Sequence, residues 1–222
     1  MLPTGRSMVL SDVSLPGLST GQHPVILEIG TEHHAGPIDL PDWLLPTFPE
    51  FKLDIPYLTA SPSSDGAAKL LNYKSIIYTD SAILNAASRL QYNLNASAAD
   101  MKVTDNSYKV DFNGHTFTAN FESSGSYQSA DKFPNFSAYV DIMSQTWFGS
   151  YQRYRKTCAD HHYQFDTIQI RPASMTMQAA KGVLDINFPE GQIKTPDITK
   201  ALGTVEVLAH FTISHPYDCL PN

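Results

Sequence analysis

Tyr108-Lys109-Val110-Asp111-Phe112-Asn113-Gly114-His115-Thr116-Phe117-Thr118-Ala119-Asn120-Phe121 reads as two β-type runs joined by an Asn-Gly pair. Asn-Gly supplies the two positive φ values of a type I′ turn, so the stretch predicts a tight hairpin. Alternation from Thr116 to Phe121 gives each strand one buried and one wet face. Runs of the same kind lie on both sides: Val25 to Ile29, Phe51 to Ile55, Tyr73 to Tyr78, Phe165 to Arg171, Met175 to Ala180, Gly182 to Ile186 and Gly203 to Ile213. All are short and rich in β-branched or aromatic residues.

Helix is scarce. Leu40-Pro41-Asp42-Trp43-Leu44-Leu45 starts a short helix, with Asp39 as cap and Pro41 near its first position, which Pro46 and Pro49 stop. A second spans about Ser81 to Leu90. Pro134 to Gly149 reads equally as a third helix or, from its aromatics, as a strand, and Ser61 to Ala68 is the clearest loop. Many strands without a βαβ rhythm predict an antiparallel barrel or sandwich over a parallel α/β fold.

The 222 residues, 42% of them hydrophobic, suffice for one sizeable core, and one domain over 1–222 is expected. A net charge of −7 with only 17% charged residues argues against nucleic acid or an anionic membrane as partner. There is no run of about eighteen apolar residues, hence no expected membrane span, and the opening residues lack a signal-peptide pattern, so a cytoplasmic location is the default. Cys158 and Cys219 are too few for a disulfide framework or a zinc knuckle and read as two free or buried thiols. Asp160-His161-His162 lacks the spacing of a metal site, and no metal is expected. The sequence carries no nucleophile elbow, phosphate loop or dinucleotide fingerprint, so hydrolase, kinase and dehydrogenase readings lack local support.

One segment, Ala87-Ser88-Arg89-Leu90-Gln91-Tyr92-Asn93-Leu94-Asn95-Ala96-Ser97-Ala98-Ala99-Asp100-Met101, resembles the active-site segment of the acetoacetate decarboxylase family. That family usually runs Ala-Gly-Arg-Glu-Leu, an aromatic, a turn, Pro-Lys-Lys and Ala-Asp-Ile. An ungapped match puts Arg89, Tyr92, Ala99, Asp100 and Met101 on like residues, and Ala96 and Ser97 where the two lysines stand. Ile38 to Pro46, Tyr163 to Pro172 and Thr204 to Pro216 resemble further stretches of the family, in its order. The resemblance implies a mostly β fold, an antiparallel closed barrel of acetoacetate decarboxylase-like type with a few short helices, often in a homo-oligomer. It also implies a divergent member without the Schiff-base lysine. Lys102 is the nearest lysine and reads as a surface group.

Arg89 is the surviving candidate to clamp a carboxylate or an enolate, with a structural tie between helix and barrel as its equal alternative, and Tyr92 could donate to an oxyanion. His33, beside Glu32, and His210, on the face of its strand shared with Leu208 and Thr212, are candidate acid–base groups. Glu122 is a weaker one. His34, Arg171 and Tyr78 are candidates for holding the substrate. These residues point to a cofactor-free lyase, cyclase or isomerase acting on a β-dicarbonyl or polyketide-derived small molecule in a biosynthetic pathway. The alternatives are a non-catalytic small-molecule-binding barrel and a decarboxylase with a relocated lysine.

Overall fold

The structure is a computed structural model and describes residues 8–36, 45–60, 69–152, 155, 157–179 and 191–219. The expected helix at Leu40 to Leu45, the loop at Ser61 to Ala68 and the strand at Gly182 to Ile186 lie outside these residues, Leu45 excepted. The strands in chain order are β1 (Met8–Leu10), β2 (Ile26–Glu32), β3 (Phe48–Ala60), β4 (Leu71–Thr79), β5 (Ala96–Ala98), β6 (Asp100–Thr104), β7 (Ser107–Phe112), β8 (His115–Ser123) and β9 (Gln128–Ser129). They continue as β10 (Thr146–Phe148), β11 (Thr157–Ala159), β12 (His161–Tyr163), β13 (Gln169–Ala179), β14 (Gly191–Thr195), β15 (Val205–Leu208), β16 (Phe211–Ile213) and β17 (Tyr217–Asp218). Two α-helices, α1 (Ala82–Tyr92) and α2 (Ser137–Met143), interrupt them.

One large sheet runs β1-β3-β4-β10-β11-β17, with β2 also along β3 and β5 also along β4. The other runs β14-β13-β8-β7-β6, with β9 and β15 on β13, and β12 pairs with β16 alone. Neither large sheet closes on itself among the described residues, which corrects the expected closed barrel. Alternation specifies which face of a strand is buried; whether the outermost strands meet depends on tilt and stagger around the whole sheet.

The Asn-Gly hairpin forms as its residues require, with Asn113 at φ 50° and Gly114 at φ 80° between β7 and β8. Its buried positions, Tyr108, Val110, Phe117 and Ala119, pack with Met175 and Met177 of β13 against Phe51 of β3 and Tyr78 of β4. The Phe51 and Phe117 rings meet edge to face at 5.0 Å. This contact holds the two sheets together. Two expected strands, Phe165 to Arg171 and Met175 to Ala180, are instead a 3₁₀ turn followed by the single strand β13. Pro172 sits where β13 changes partners, from β15 to β8, a place where a missing N–H is tolerated. Between Pro134 and Gly149 both readings hold in turn, with α2 first and β10 after it.

Helix α1 starts at Ser81, whose side chain accepts from the Leu84 N–H, and ends at Asn93 in the left-handed conformation. Fully buried Asn93 donates to the carbonyls of Gln152 and Arg155 and accepts from the Gln152 N–H, tying those two residues to the helix end. Gly149 passes so close that a Cβ there would lie 2.3 Å from the Asn93 carbonyl oxygen.

Cys158 and Cys219 form a disulfide across a Cα separation of 5.8 Å, correcting the reading as free thiols. Their 61-residue separation hid a proximity created by the pairing of β11 with β17. Cys158→Ser, or reduction of the wild type, is expected to lower unfolding free energy by about 2–4 kcal/mol in denaturant titrations; an unchanged midpoint would show that the bridge does not constrain the chain.

Candidate active site

The interior polar chemistry is built on β2, β3 and β4. Along β3, Phe51 and Leu53 face the apolar core, and Glu50, Lys52 and Asp54 alternate onto the opposite face. Glu28 of β2 lies directly across from Lys52, and Glu32 stands two alternations further on the same side. Gly30, between them, pairs with Glu50 and leaves a gap, since a Cβ there would have nothing within 4 Å.

On β4 the register slips. Leu53 pairs with Ile76 but Asp54 pairs with Lys74, leaving Ser75 as an extra, bulged residue. Ile77 and Lys74, three apart, thereby reach one face that regular alternation would deny them. The bulge aims Lys74 at Asp54. Lys74 Nζ donates to Asp54 Oδ2 and lies 3.4 Å from Glu28 Oε1. Lys52 Nζ lies 2.5 Å from Glu50, 3.0 Å from Glu32 and 3.8 Å from Glu28. Glu28 therefore bridges the two ammonium groups.

Four carboxyls and two ammoniums cannot all be charged in a desolvated place without an excess of two negative charges. Two carboxyls have their proton affinity raised instead. Burial, with the Glu28 carboxylate beside it, raises Asp54 to about 7. Burial and neighbouring Glu32 likewise raise Glu50 well above the carboxylate range, although Lys52 opposes them. Burial also works against the charge on Glu32, but Lys52 and the hydrogen bond from Glu50 outweigh it and hold Glu32 down at about 2. Glu28 is held low in the same way, burial being outweighed by Lys74 and Lys52, with a hydrogen bond from Asp54. Exposure decides which partner carries the proton: Asp54 is 0% exposed, whereas the Glu28 side chain is 30% exposed. Both lysines stay charged, since their carboxylates overcome the burial that would neutralise them.

An aromatic wall adjoins this charged face. Trp147 of β10 is the register partner of Asn72 on β4, and Asn72 donates to Asp54 Oδ2 at 3.1 Å. The Trp147 ring lies 5.3 Å from the ring of His161 and 5.4 Å from that of Tyr92. His161 in turn contacts Tyr163 and Phe211. Burial, followed by the positive charge of Lys74 and Lys52, lowers His161 to about 3 and keeps its imidazole neutral. Three buried polar atoms here, Asp54 Oδ1, Asn72 Oδ1 and Trp147 Nε1, have no hydrogen-bond partner. Such atoms are rare in folded proteins and mark a place completed by water or a ligand.

No family model and no curated protein matches this sequence. Among solved structures, the acetoacetate decarboxylase of Legionella pneumophila superposes with a TM-score of 0.54 at 9% identity, over 89% of this chain and 85% of that one. The fold is acetoacetate decarboxylase-like. At that identity the likeness concerns the fold alone.

Within this acetoacetate decarboxylase-like fold, the residues singled out from the sequence are scattered. Arg89 Nε donates to the Ala96 carbonyl at 2.5 Å, its Nη2 to Ser97 Oγ, and its guanidinium stacks on Tyr151, so it ties α1 to β5. His210 is exposed, because the expected strand Gly203 to Ile213 breaks between β15 and β16. That corrects its expected place on a strand face with Leu208 and Thr212. His33 and His34 are exposed, His33 near Thr47 and His34 at φ 54°. Glu122 is exposed on β8, as is Lys102 on β6. Arg171 makes a two-point contact with Glu206 at 2.6 and 3.0 Å and stacks on Tyr127. Tyr78 belongs to the core between the sheets. Of the residues singled out, Tyr92 alone touches the aromatic wall. Ala96 and Ser97 lie on β5 beside β4, Ala96 packed with Ile77 and Trp147.

The candidate residues missed from the sequence are Lys52, Asp54, Lys74, Glu28, Glu50 and Trp147, while Glu32 enters there only as the neighbour of His33 and His161 only as a rejected metal ligand. Alternating charges on β2 and β3 read by default as a solvated face. Lys74 was masked by the bulge, since strict alternation places it with Ile76 and Tyr78.

Asp54 gives the site a stability signature. Its folded pKa lies above the unfolded 3.8, so its contribution is complete below about 4 and is lost as pH rises through about 7. Glu32 has the opposite sign, its contribution being lost as pH falls from 4.5 toward about 2. Asp54→Asn is expected to flatten the decline between pH 4 and 7 while keeping the acid-side loss, measured by denaturant unfolding across that range; parallel profiles for variant and wild type would refute the buried proton.

Proposed function

We propose that this protein is a cofactor-free enzyme that moves a proton on an enolisable β-dicarbonyl small molecule, in the manner of a lyase, isomerase or cyclase. The observation that carries this reading is Asp54: buried, unpartnered at Oδ1, gripped at Oδ2 by Lys74, and with a proton affinity set near neutrality. A carboxyl with a pKa near the working pH is suited to both taking and returning a proton. Starting from ionised Asp54, which coexists with the protonated form near pH 7, the substrate C–H bond breaks, the proton passes to Asp54 Oδ1, and the electron pair moves onto the carbonyl oxygen as an enolate. The Trp147 indole N–H, which has no partner in the protein, is the donor available to that oxygen. The transfer leaves the net charge of the site unchanged, which suits a buried network.

An imine route through Lys74 is the relocated-lysine alternative. It needs a neutral amine, and both buried lysines are pushed toward the charged form by their carboxylates. A binding protein without turnover is the second reading. Lys52 favours it on its own side of the site, since the carboxyls of Glu50, Glu32 and Glu28 surround its ammonium at 2.5, 3.0 and 3.8 Å. The Cys158–Cys219 bridge favours an oxidising compartment over the cytoplasmic default. Among the described residues no helix is long and apolar enough to cross a membrane.

The test is exchange of the α-hydrogens of pentane-2,4-dione for deuterium, followed by NMR. Asp54→Asn is expected to slow enzyme-dependent exchange by about 10²–10⁴-fold, His210→Ala to leave it unchanged, and borohydride with substrate to trap no adduct. Exchange that survives Asp54→Asn, or a borohydride adduct on Lys74, would reject the assignment.

A further inference from the structure

The two lysines are fully committed to the protein's own carboxyls, and this restricts what the site can bind. Lys52 faces Glu28, Glu32 and Glu50, and Lys74 faces Asp54 and Glu28. The other groups facing the cluster, His161 and Tyr163, are neutral rings within the aromatic wall. The two guanidiniums picked out from the sequence are occupied elsewhere, Arg89 on β5 and Arg171 on Glu206. An incoming carboxylate would thus add charge to a face that already holds four carboxyls against two ammoniums, in a place of weak screening.

The unpartnered atoms describe a different ligand. Trp147 Nε1 needs an acceptor, Asn72 Oδ1 needs a donor, and Asp54 Oδ1 takes either role according to its proton. All three lie on residues at most 3% exposed. The enol of a 1,3-dicarbonyl presents a carbonyl acceptor and a hydroxyl donor on one planar frame. A planar frame can lie against a single ring of the wall, since Trp147, His161 and Tyr163 are tilted by 45° and 77° from one to the next. The missing side chain at Gly30 opens the flank of the charged face along β2, where Glu28 and Glu32 reach solvent.

We propose that the site selects uncharged, planar, enolisable 1,3-dicarbonyl compounds and excludes the corresponding carboxylates. The inference rests on the proton-transfer reading of Asp54 and goes further: it removes free β-keto acids, and so their decarboxylation, from the substrates of this protein.

Benzoylacetamide and benzoylacetate share one skeleton and differ in charge at one end. In NMR titrations of the full chain at pH 8, the amide is expected to bind at least about tenfold more tightly than the acid. Glu28→Gln and, separately, Glu32→Gln each remove one negative charge and are expected to narrow that gap, so one misfolded variant does not end the test. Gly30→Leu, which alters no charge, is expected to abolish binding of the amide. Equal or tighter binding of benzoylacetate, or no binding of either compound, would overturn the proposal. Selective amide binding without deuterium exchange would uphold the charge selection while refuting the proton-transfer reading; exchange with preference for the acid would do the reverse.

Discussion

Charge neutrality in the absence of water is the constraint around which this structure is arranged. Desolvating an isolated ion can cost as much as the net stability of a domain, so each charge on the face of β2, β3 and β4 must be matched or removed. Two ammoniums match two carboxylates. The remaining two carboxyls have a raised proton affinity, Asp54 at about 7, and each is hydrogen-bonded to an ionised neighbour: Asp54 to Glu28 and Glu50 to Glu32. The site is therefore two acid–carboxylate pairs, each beside a lysine, and Glu28 links them.

The fold supplies this arrangement through three adjacent strands and one irregularity. Apolar residues at alternate positions, Phe51 on β3 with Leu27 and Ile29 on β2, pack onto the hairpin sheet and hold the strand faces in orientation. The charged residues are then held on the other face by the pleat. At Ser75 the pleat is interrupted, and this brings Lys74 across from Asp54. Without the bulge, Asp54 would face Ser75, and its burial would have no cation beside it. The same rigidity makes the proton on Asp54 useful, because an acid whose surroundings cannot relax keeps its displaced affinity through a reaction cycle.

The acetoacetate decarboxylase-like fold and the chemistry on it stand apart. The solved structure from Legionella shares the path of the chain at 9% identity, which leaves the chemistry to be argued from this chain's own side chains. Where the sequence resemblance implies a pair of lysines, the chain has an apolar position, Ala96, and a hydroxyl, Ser97, that receives Arg89. The buried lysines sit instead on β3 and β4. Their environment differs from that of an imine-forming amine, since carboxylates hold both in the charged state. A shared scaffold is thus compatible with a different way of handling an enolate.

The sequence by itself determined the mostly β character, the hairpin at Asn113-Gly114, the helix beginning near Ser81 and the two-faced alternation of β8, because each depends on local backbone preference or on a period of two. The structural role of Arg89 was legible as one of two alternatives, since a guanidinium at a helix end has carbonyls within reach. Only tertiary structure decided the rest. The open sheets, the Cys158–Cys219 bridge and the exposure of His210 depend on which strands pair over long separations. Lys52, Asp54 and Lys74 became a site only when two strands with ordinary surface-like alternation were buried, and when one bulged residue turned a lysine to the opposite face. Neither burial nor register is written in a single strand; both arise from what packs against it.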